Sequence, residues 1–248
     1  MNGSLVKTRR FGRYDYIGDP ANTCRIFNEC EVDELAVVDI SATRVGGGPD
    51  FKLLEELAEE CFMPVAYGGG ITTMDQVERI LRLGMEKVII GSAAHTQRDL
   101  LANISKTFGA QCLVAAIDVK RSVFGTQHCR THSGRKNTSV LPVDWARHVE
   151  AMGAGEILLT NIDQEGTWNG FDIDLISQIV KSVSIPVIAH GGAGSKEDIR
   201  AAILGGGASA VALGNMVVYQ KRGMGVLVNF PTPLEQAELN LDQSNIKF

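Results

Sequence analysis

Asp118 closes the apolar run Ala115-Ala116-Ile117-Asp118-Val119-Lys120-Arg121, a pattern that predicts a buried strand ending in a carboxylate. At the C-terminal end of a barrel strand such a group faces the site where barrel enzymes do chemistry, and it could move a proton as general acid or base. A plain ion pair with Lys120 or Arg121 is the alternative. Asp39 and Asp163 end similar runs and could serve either chemistry or the capping of loop N–H groups. Glycine-rich turns also follow apolar runs, at Gly68-Gly69-Gly70 with Gly91-Ser92 and at Gly191-Gly192-Ala193-Gly194 with Gly214-Asn215. Turns of this kind bring backbone N–H groups close to an anion and open helices whose N-termini favour negative charge. Glycines that merely make tight turns are the bland reading. Lys7 and the stretch Ser133-Gly134-Arg135-Lys136-Asn137-Thr138 are polar and basic, suited to a loop that closes over an anion or to a solvated hairpin. Glu34, Lys87 and Glu156 each start a strand, so they would form a charged ring in a barrel floor. Such a ring is expensive unless paired, and reads as a salt-bridged plug or a gate. The five histidines show no metal-ligand spacing, and no serine-nucleophile elbow is present, so no metal or other cofactor is expected.

The elements that position these residues follow from hydrophobic patterning. Apolar runs at Glu34–Ile40, Pro64–Tyr67, Lys87–Ile90, Leu113–Asp118, Glu156–Asn161, Pro186–Ala189 and Ala208–Leu213 predict buried parallel strands. Between them, Asp50–Cys61, Thr72–Leu83, Pro142–Met152, Asp172–Lys181 and Ser195–Leu204 carry apolar residues three and four apart, predicting helices with Asp, Thr or Ser caps. The alternation predicts an α/β fold, either doubly wound or a barrel.

An internal repeat selects the barrel. The turn at Gly68 recurs at Gly191 and the turn at Gly91 at Gly214, both 123 residues on, while Asp39–Thr43 resembles Asp163–Thr167 at 124. Two similar half-barrels explain three ordered matches. Paired glycine cradles then suit a substrate with a phosphate at each end. The strand ending at Asp118 has no partner in the first half, so the expected architecture is a (β/α)8 TIM-type barrel lacking strand 1, with Ser4–Phe11 left of its loop. We expect one barrel domain over 1–248, truncated at its N-terminal strand, with a C-terminal tail from 223 to 248. Open edges on both sides of the gap predict poor expression or aggregation.

A chain of 248 residues, 44% apolar and 21% charged, can bury one full core. A net charge of −5 argues against nucleic acid as a partner. No run is long and apolar enough for a membrane span, and Met1–Ser4 shows no signal core, so a cytoplasmic protein is expected. Five cysteines without a CxxC pair predict reduced, packing thiols.

The chain resembles the cyclase subunit family of imidazole glycerol phosphate synthase. The resemblance runs from Ser4 to about Tyr219 and rests on Gly18-Asp19-Pro20, Asp33-Glu34-Leu35, Gly68-Gly69-Gly70-Ile71, Ala116-Ile117-Asp118, Ser133 to Thr138, Gly153 to Thr160 and Gly191-Gly192-Ala193-Gly194. It implies a glutaminase partner docked on the N-terminal barrel face, with ammonia passing through the barrel to a bis-phosphorylated ribulosyl-formimino aminoimidazole carboxamide nucleotide. It further implies the lyase products imidazole glycerol phosphate, for histidine biosynthesis, and aminoimidazole carboxamide ribotide. Within it, Asp118 matches a catalytic aspartate, and Glu34, Lys87 and Glu156 match the ammonia gate. Lys7, Gly69, Gly70, Gly91, Ser92, Ser133, Glu165, Gly166, Gly191, Gly192, Gly214 and Asn215 match substrate and phosphate positions. The sequence departs from the family at the strand-1 aspartate, and at Glu165, Gly91-Ser92 and His190, where Asp, Asn-Thr and Ser are usual. Glu60 to Pro64 and Gly225 to Pro231 are more similar to a related group in surface-polysaccharide pathways. That resemblance implies a non-cyclising barrel that channels ammonia within a glutaminase and amidotransferase complex making acetamidino sugars.

Overall fold

The computed structural model describes residues 1, 3–97 and 99–239; of the tail from 223, residues 240–248 lie outside the described residues. A hairpin comes first, β1 (Leu5–Thr8) with β2 (Tyr14–Gly18). Seven parallel strands follow: β3 (Leu35–Val38), β4 (Val65–Gly68), β5 (Lys87–Ile90), β6 (Leu113–Arg121), β9 (Glu156–Asn161), β10 (Val187–His190) and β11 (Ala210–Ala212). They pair in the order β3-β4-β5-β6-β9-β10-β11, so each strand neighbours the next parallel strand in the chain. β6 runs past Asp118 and turns back as the antiparallel β7 (Gln127–Thr131), which pairs β8 (Lys136–Asn137). The helices are α1 (Pro20–Glu29), α2 (Ala42–Val45), α3 (Phe51–Glu60), α4 (Met74–Arg82), α5 (Leu100–Phe108), α6 (Pro142–Ala151), α7 (Ile173–Val180), α8 (Lys196–Arg200), α9 (Asn215–Val218) and α10 (Pro233–Glu238). This is a curled parallel α/β sheet of the TIM-barrel type. Among the described residues β3 and β11 do not pair with each other.

Alternation along each strand splits the core in two, because successive side chains point to opposite faces. On the outer face, Val65, Tyr67, Val88, Ile90, Leu113, Ala115, Ile117, Ile157, Leu159, Val187 and Ala189 pack against α3–α7 and Ala202 in one large cluster. The inner face is smaller: Ala66, Ile89, Val114 and Leu158, with Ala116, Ile188 and Ala212 against them. A third cluster joins the two ends of the sheet. Ile17, Phe27, Val32, Val217 and Val218 are buried there, with Leu35 of β3 and Leu213 just past β11 packed on them. The five cysteines are free. Among the described residues no helix is long and apolar enough to cross a membrane.

The repeat is real, but its offset is not uniform. Asp39 and Asn161 follow or end corresponding strands, and each side chain accepts from the backbone N–H groups two and three residues on. Asp50 and Asp172 cap α3 and α7 in the same way. Thr73 and Ser195 form matching capping boxes with Gln76 and Asp198. Each of these pairs is 122 residues apart. After the next helix the offset is 123: Glu86 N–H donates to Val65, and Ser209 N–H to Val187. The added residue is absorbed by a π-helical turn at Ala201–Gly205, which continues α8. Such a turn inserts one residue into a helix without ending it. The sequence match of Gly68 with Gly191 is therefore corrected by one position. Gly68 and His190 are the equivalent last residues of β4 and β10, and Asp39 corresponds to Asn161 rather than to Asp163.

Candidate functional site

At the C-terminal ends of the strands a cavity of about 510 Å3 opens. Asp118 lies in its wall, with Gly69, Gly70, Gly91, Ser92, Ser133, Thr160 and His190 around it. Position 118 points inward because Ala115, Ile117 and Val119 take the outer face of β6. Burial pushes the Asp118 carboxyl up to about 7. Near neutral pH it is therefore divided between acid and base forms, the condition for a proton carrier. Arg130 stands opposite it in the β6–β7 ladder, with its Nε buried and without a partner.

The other carboxylates at this mouth are committed to backbone. Asp39 Oδ1 accepts from Ser41 N–H at 2.8 Å and Ser41 Oγ–H at 2.6 Å. Asp163 Oδ2 accepts from Arg121 N–H at 2.8 Å. Glu165, only 2% exposed, accepts from Thr8 Oγ at 2.9 Å and from Phe11 N–H at 3.1 Å, which pins the β1–β2 hairpin over the mouth.

The two glycine cradles differ. On the β4–β5 side, Gly46 to Gly48 and Gly68 to Gly70 line the open cavity. Gly69 (φ +136°) runs against Asp39, where an added Cβ would lie 2.8 Å from its carbonyl oxygen. Ser92 Oγ accepts from His132 N–H at 2.8 Å, and Ser133 Oγ–H donates to Ile40 O at 3.2 Å. The Ser133 loop is thus a hairpin tied down onto the loops that follow β3 and β5. On the β10–β11 side, Lys7, Glu165, Gly166, His190, Gly191, Gly192, Gly214 and Asn215 enclose only about 10 Å3. A Cβ on Gly214 would sit 2.5 Å from Lys7 Nζ and 3.8 Å from His190 Nε2. His190 Nδ1 is 3.1 Å from Thr160 Oγ, and burial followed by the nearby Lys7 charge lowers its pKa to about 3, leaving the imidazole neutral. Burial also lowers the pKa of Lys7, with Glu165 opposing.

At the opposite ends of the strands Lys87 Nζ bridges Glu34 Oε2 at 2.8 Å and Glu156 Oε1 at 2.9 Å. Burial alone would lower the Lys87 pKa, but the two carboxylates hold it above the ordinary value. Glu156 Oε2 is buried without a partner.

The predicted residues therefore fall into three groups: Asp118, Gly69, Gly70, Gly91, Ser92 and Ser133 at the open cavity; Lys7, Glu165, Gly166, Gly191, Gly192, Gly214 and Asn215 at the small one; and Glu34, Lys87 and Glu156 at the floor. Sequence reasoning missed Thr160, Arg130 and the Gly46-Gly47-Gly48 loop; that glycine run was the available signal.

Comparison with known proteins agrees with this architecture. A protein of Leptospira interrogans named "Putative imidazole glycerol phosphate synthase subunit HisF" is 42% identical over 232 residues, covering 93% of this chain and 91% of the relative. The Pseudomonas aeruginosa "Putative imidazole glycerol phosphate synthase subunit hisF2" is 42% identical, covering 92% and 90%. The "Imidazole glycerol phosphate synthase subunit HisF" of Hyphomonas neptunium is 42% identical, covering 85% and 83%. The family model described as "Histidine biosynthesis protein" matches residues 1–222, and the chain belongs to that family.

Proposed function

We propose that the chain is an ammonia-delivering barrel subunit of a glutamine-dependent complex. A glutaminase seats on the N-terminal face, and ammonia reaches a phosphate-bearing small molecule at the mouth. The observation that carries this reading is the Lys87 bridge between Glu34 and Glu156, at one end of the same strands whose other end bears Asp118 and the cavity. Three charges at a barrel floor cost desolvation free energy that an apolar floor would not. Rearranging the bridge would open a polar way in. Asp118, half protonated near pH 7, is suited to trade protons with ammonium or with the ligand.

Two readings of the reaction remain. In the cyclase reading the chain converts the bis-phosphorylated formimino nucleotide to imidazole glycerol phosphate and the carboxamide ribotide. Ring closure and N–C cleavage both move protons, which calls for two acid–base groups. Among the described residues Asp118 is the one mouth carboxylate free of backbone bonds, since Asp39, Asp163 and Glu165 each accept a backbone N–H. That observation favours the second reading, a non-cyclising conduit serving a sugar amidotransferase. The test is to incubate the purified chain with ammonium and the formimino nucleotide. Release of the imidazole product establishes the cyclase. The conduit reading expects none, together with loss of glutamine-driven but not ammonium-driven amidation when Lys87 is replaced in the assembled complex.

A further inference from the structure

Two of the five free cysteines lie against each other. Cys24 sits on α1, 5% exposed, and Cys61 caps the end of α3, half-buried. The two helices pack together. Asn28 lies one helical turn after Cys24 and shares its face of α1. Its Oδ1 accepts from Phe62 N–H at 3.1 Å, which fixes that face against the residue next to Cys61. Within this junction the Cys24 thiol hydrogen-bonds to Cys61. The other thiols are occupied elsewhere. Cys30 packs with the cluster at the sheet ends, Cys112 donates to Phe108 O at 3.4 Å, and Cys129 is buried in the large outer cluster.

The two partners are unequal. The bond from Cys24, opposed by burial and by Glu60, lowers the Cys61 pKa. The bond to Cys61, followed by burial, raises that of Cys24. Thiolate is the attacking form in disulfide exchange. The half-buried Cys61 is therefore the point of entry, and the buried Cys24 is the thiol that follows.

We propose that Cys24 and Cys61 are a redox modification site, closing to a reversible disulfide with a small-molecule disulfide as oxidant. Cys61 attacks one sulfur of the oxidant, forming a mixed disulfide and releasing one thiol. Cys24 then attacks Cys61 Sγ and releases the second. Two protein thiols are oxidised, one disulfide is reduced, and both protons leave on the released thiols. The bridge ties α3 to α1, the helix that carries Phe27 into the cluster between the sheet ends. Closing the chain between positions 24 and 61 restricts the unfolded state and stabilises the fold.

Oxidised glutathione is the probe. The full native chain is incubated with it, alkylated and peptide-mapped. The wild type should lose two of its five thiols, retain no glutathione, and yield one Cys24–Cys61 peptide pair that dithiothreitol cleaves. Its urea midpoint should rise on oxidation and return on reduction. Cys24→Ala should stop at one glutathione on Cys61, and Cys61→Ser should leave the buried Cys24 unmodified. If a variant does not fold, brief alkylation of the reduced wild type still reads the order of reaction, and Cys61 should be labelled several times faster than Cys24. Five unreacted thiols, glutathione retained on the wild type, or a bridge that includes Cys30, Cys112 or Cys129 overturns the proposal. So does labelling of Cys24 ahead of Cys61, or a bridged chain whose urea midpoint does not rise.

Discussion

The chemistry of the mouth comes down to one carboxyl in an unfavourable place. Asp118 is held near pKa 7 by burial, against an ordinary carboxylate value of about 4. Below pH ~4 it is protonated in both the folded and the unfolded chain and contributes no pH dependence. As pH rises toward 7 the unfolded chain gives up this proton first, so stability falls, and above the folded pKa the loss is complete. Asp118→Asn removes that slope. The variant should gain on the wild type between pH 5 and 8 by on the order of a few kcal/mol. Urea unfolding at the two pH values measures it, and parallel curves would show that the carboxyl is not buried as described. Lys87 is the reverse case, a charge whose partners need it. Lys87→Met leaves Glu34 and Glu156 facing each other without a cation. All three are partly exposed, so the expected loss is about 1–2 kcal/mol at pH 7, smaller than for a fully buried pair. Asp118 and the floor ring were legible because charge inside an apolar run is conspicuous. Glu165 was not legible as a hairpin latch, since its partners Thr8 and Phe11 lie more than 150 residues away in the chain.

At the scale of elements, the hairpin and the repeat show what local patterning can and cannot carry. Glu165 accepts from the hairpin through both oxygens, one from Thr8 Oγ–H and one from Phe11 N–H. Glu165→Gln keeps one acceptor and turns the other into a donor facing a donor. Arg9, Arg10 and Arg13 are exposed on this hairpin, so limited trypsin digestion reads its opening directly. Cleavage there should be several times faster in Glu165→Gln than in the wild type, with the rest of the chain cut at the same rate. Equal rates would mean that other contacts hold the hairpin. The parallel strands could be read because burial on both faces gives continuous apolar runs; Lys87–Ile90 and Glu156–Asn161 match the expected bounds. Helix caps at Asp50, Asp172 and Ser195 were legible for the same local reason, whereas the α4 cap is Thr73, one residue past the expected start at Thr72. The one-residue slip in the repeat was not. Glycine matches GGG against GGA equally well in either frame, and only the strand ladders and the π turn at Ala201–Gly205 decide between them. The β6–β7 hairpin was also missed, because β6 continues past Asp118 with the polar pair Lys120-Arg121 where a buried strand should stop. Helices α1 and α5 were left unassigned, although Asp19-Pro20 is a cap followed by proline at the first helical position.

For the whole molecule, the sheet ends β3 and β11 are held together by side chains rather than by a ladder. Phe27 of α1, 7% exposed, packs in that cluster with Ile17, Val32, Val217 and Val218. Leu101 of α5, fully buried, packs in the large outer cluster, away from either sheet end. Truncating either to alanine removes a buried side chain, and each should cost about 3–4 kcal/mol in urea unfolding. That is a large share of the ~5–15 kcal/mol a domain of this kind has. The two variants should differ in their association. Loosening the Phe27 cluster uncovers unpaired N–H and C=O groups along β3 and β11, and exposed strand edges template pairing with another chain. Loosening the Leu101 site uncovers no edge. At matched stability and concentration, Phe27→Ala should therefore form higher oligomers by light scattering while Leu101→Ala stays at the wild-type size. If both associate equally, general loss of stability drives aggregation and the cluster has no special duty. If neither does, the sheet ends are protected by something other than the packing of Phe27 and its neighbours.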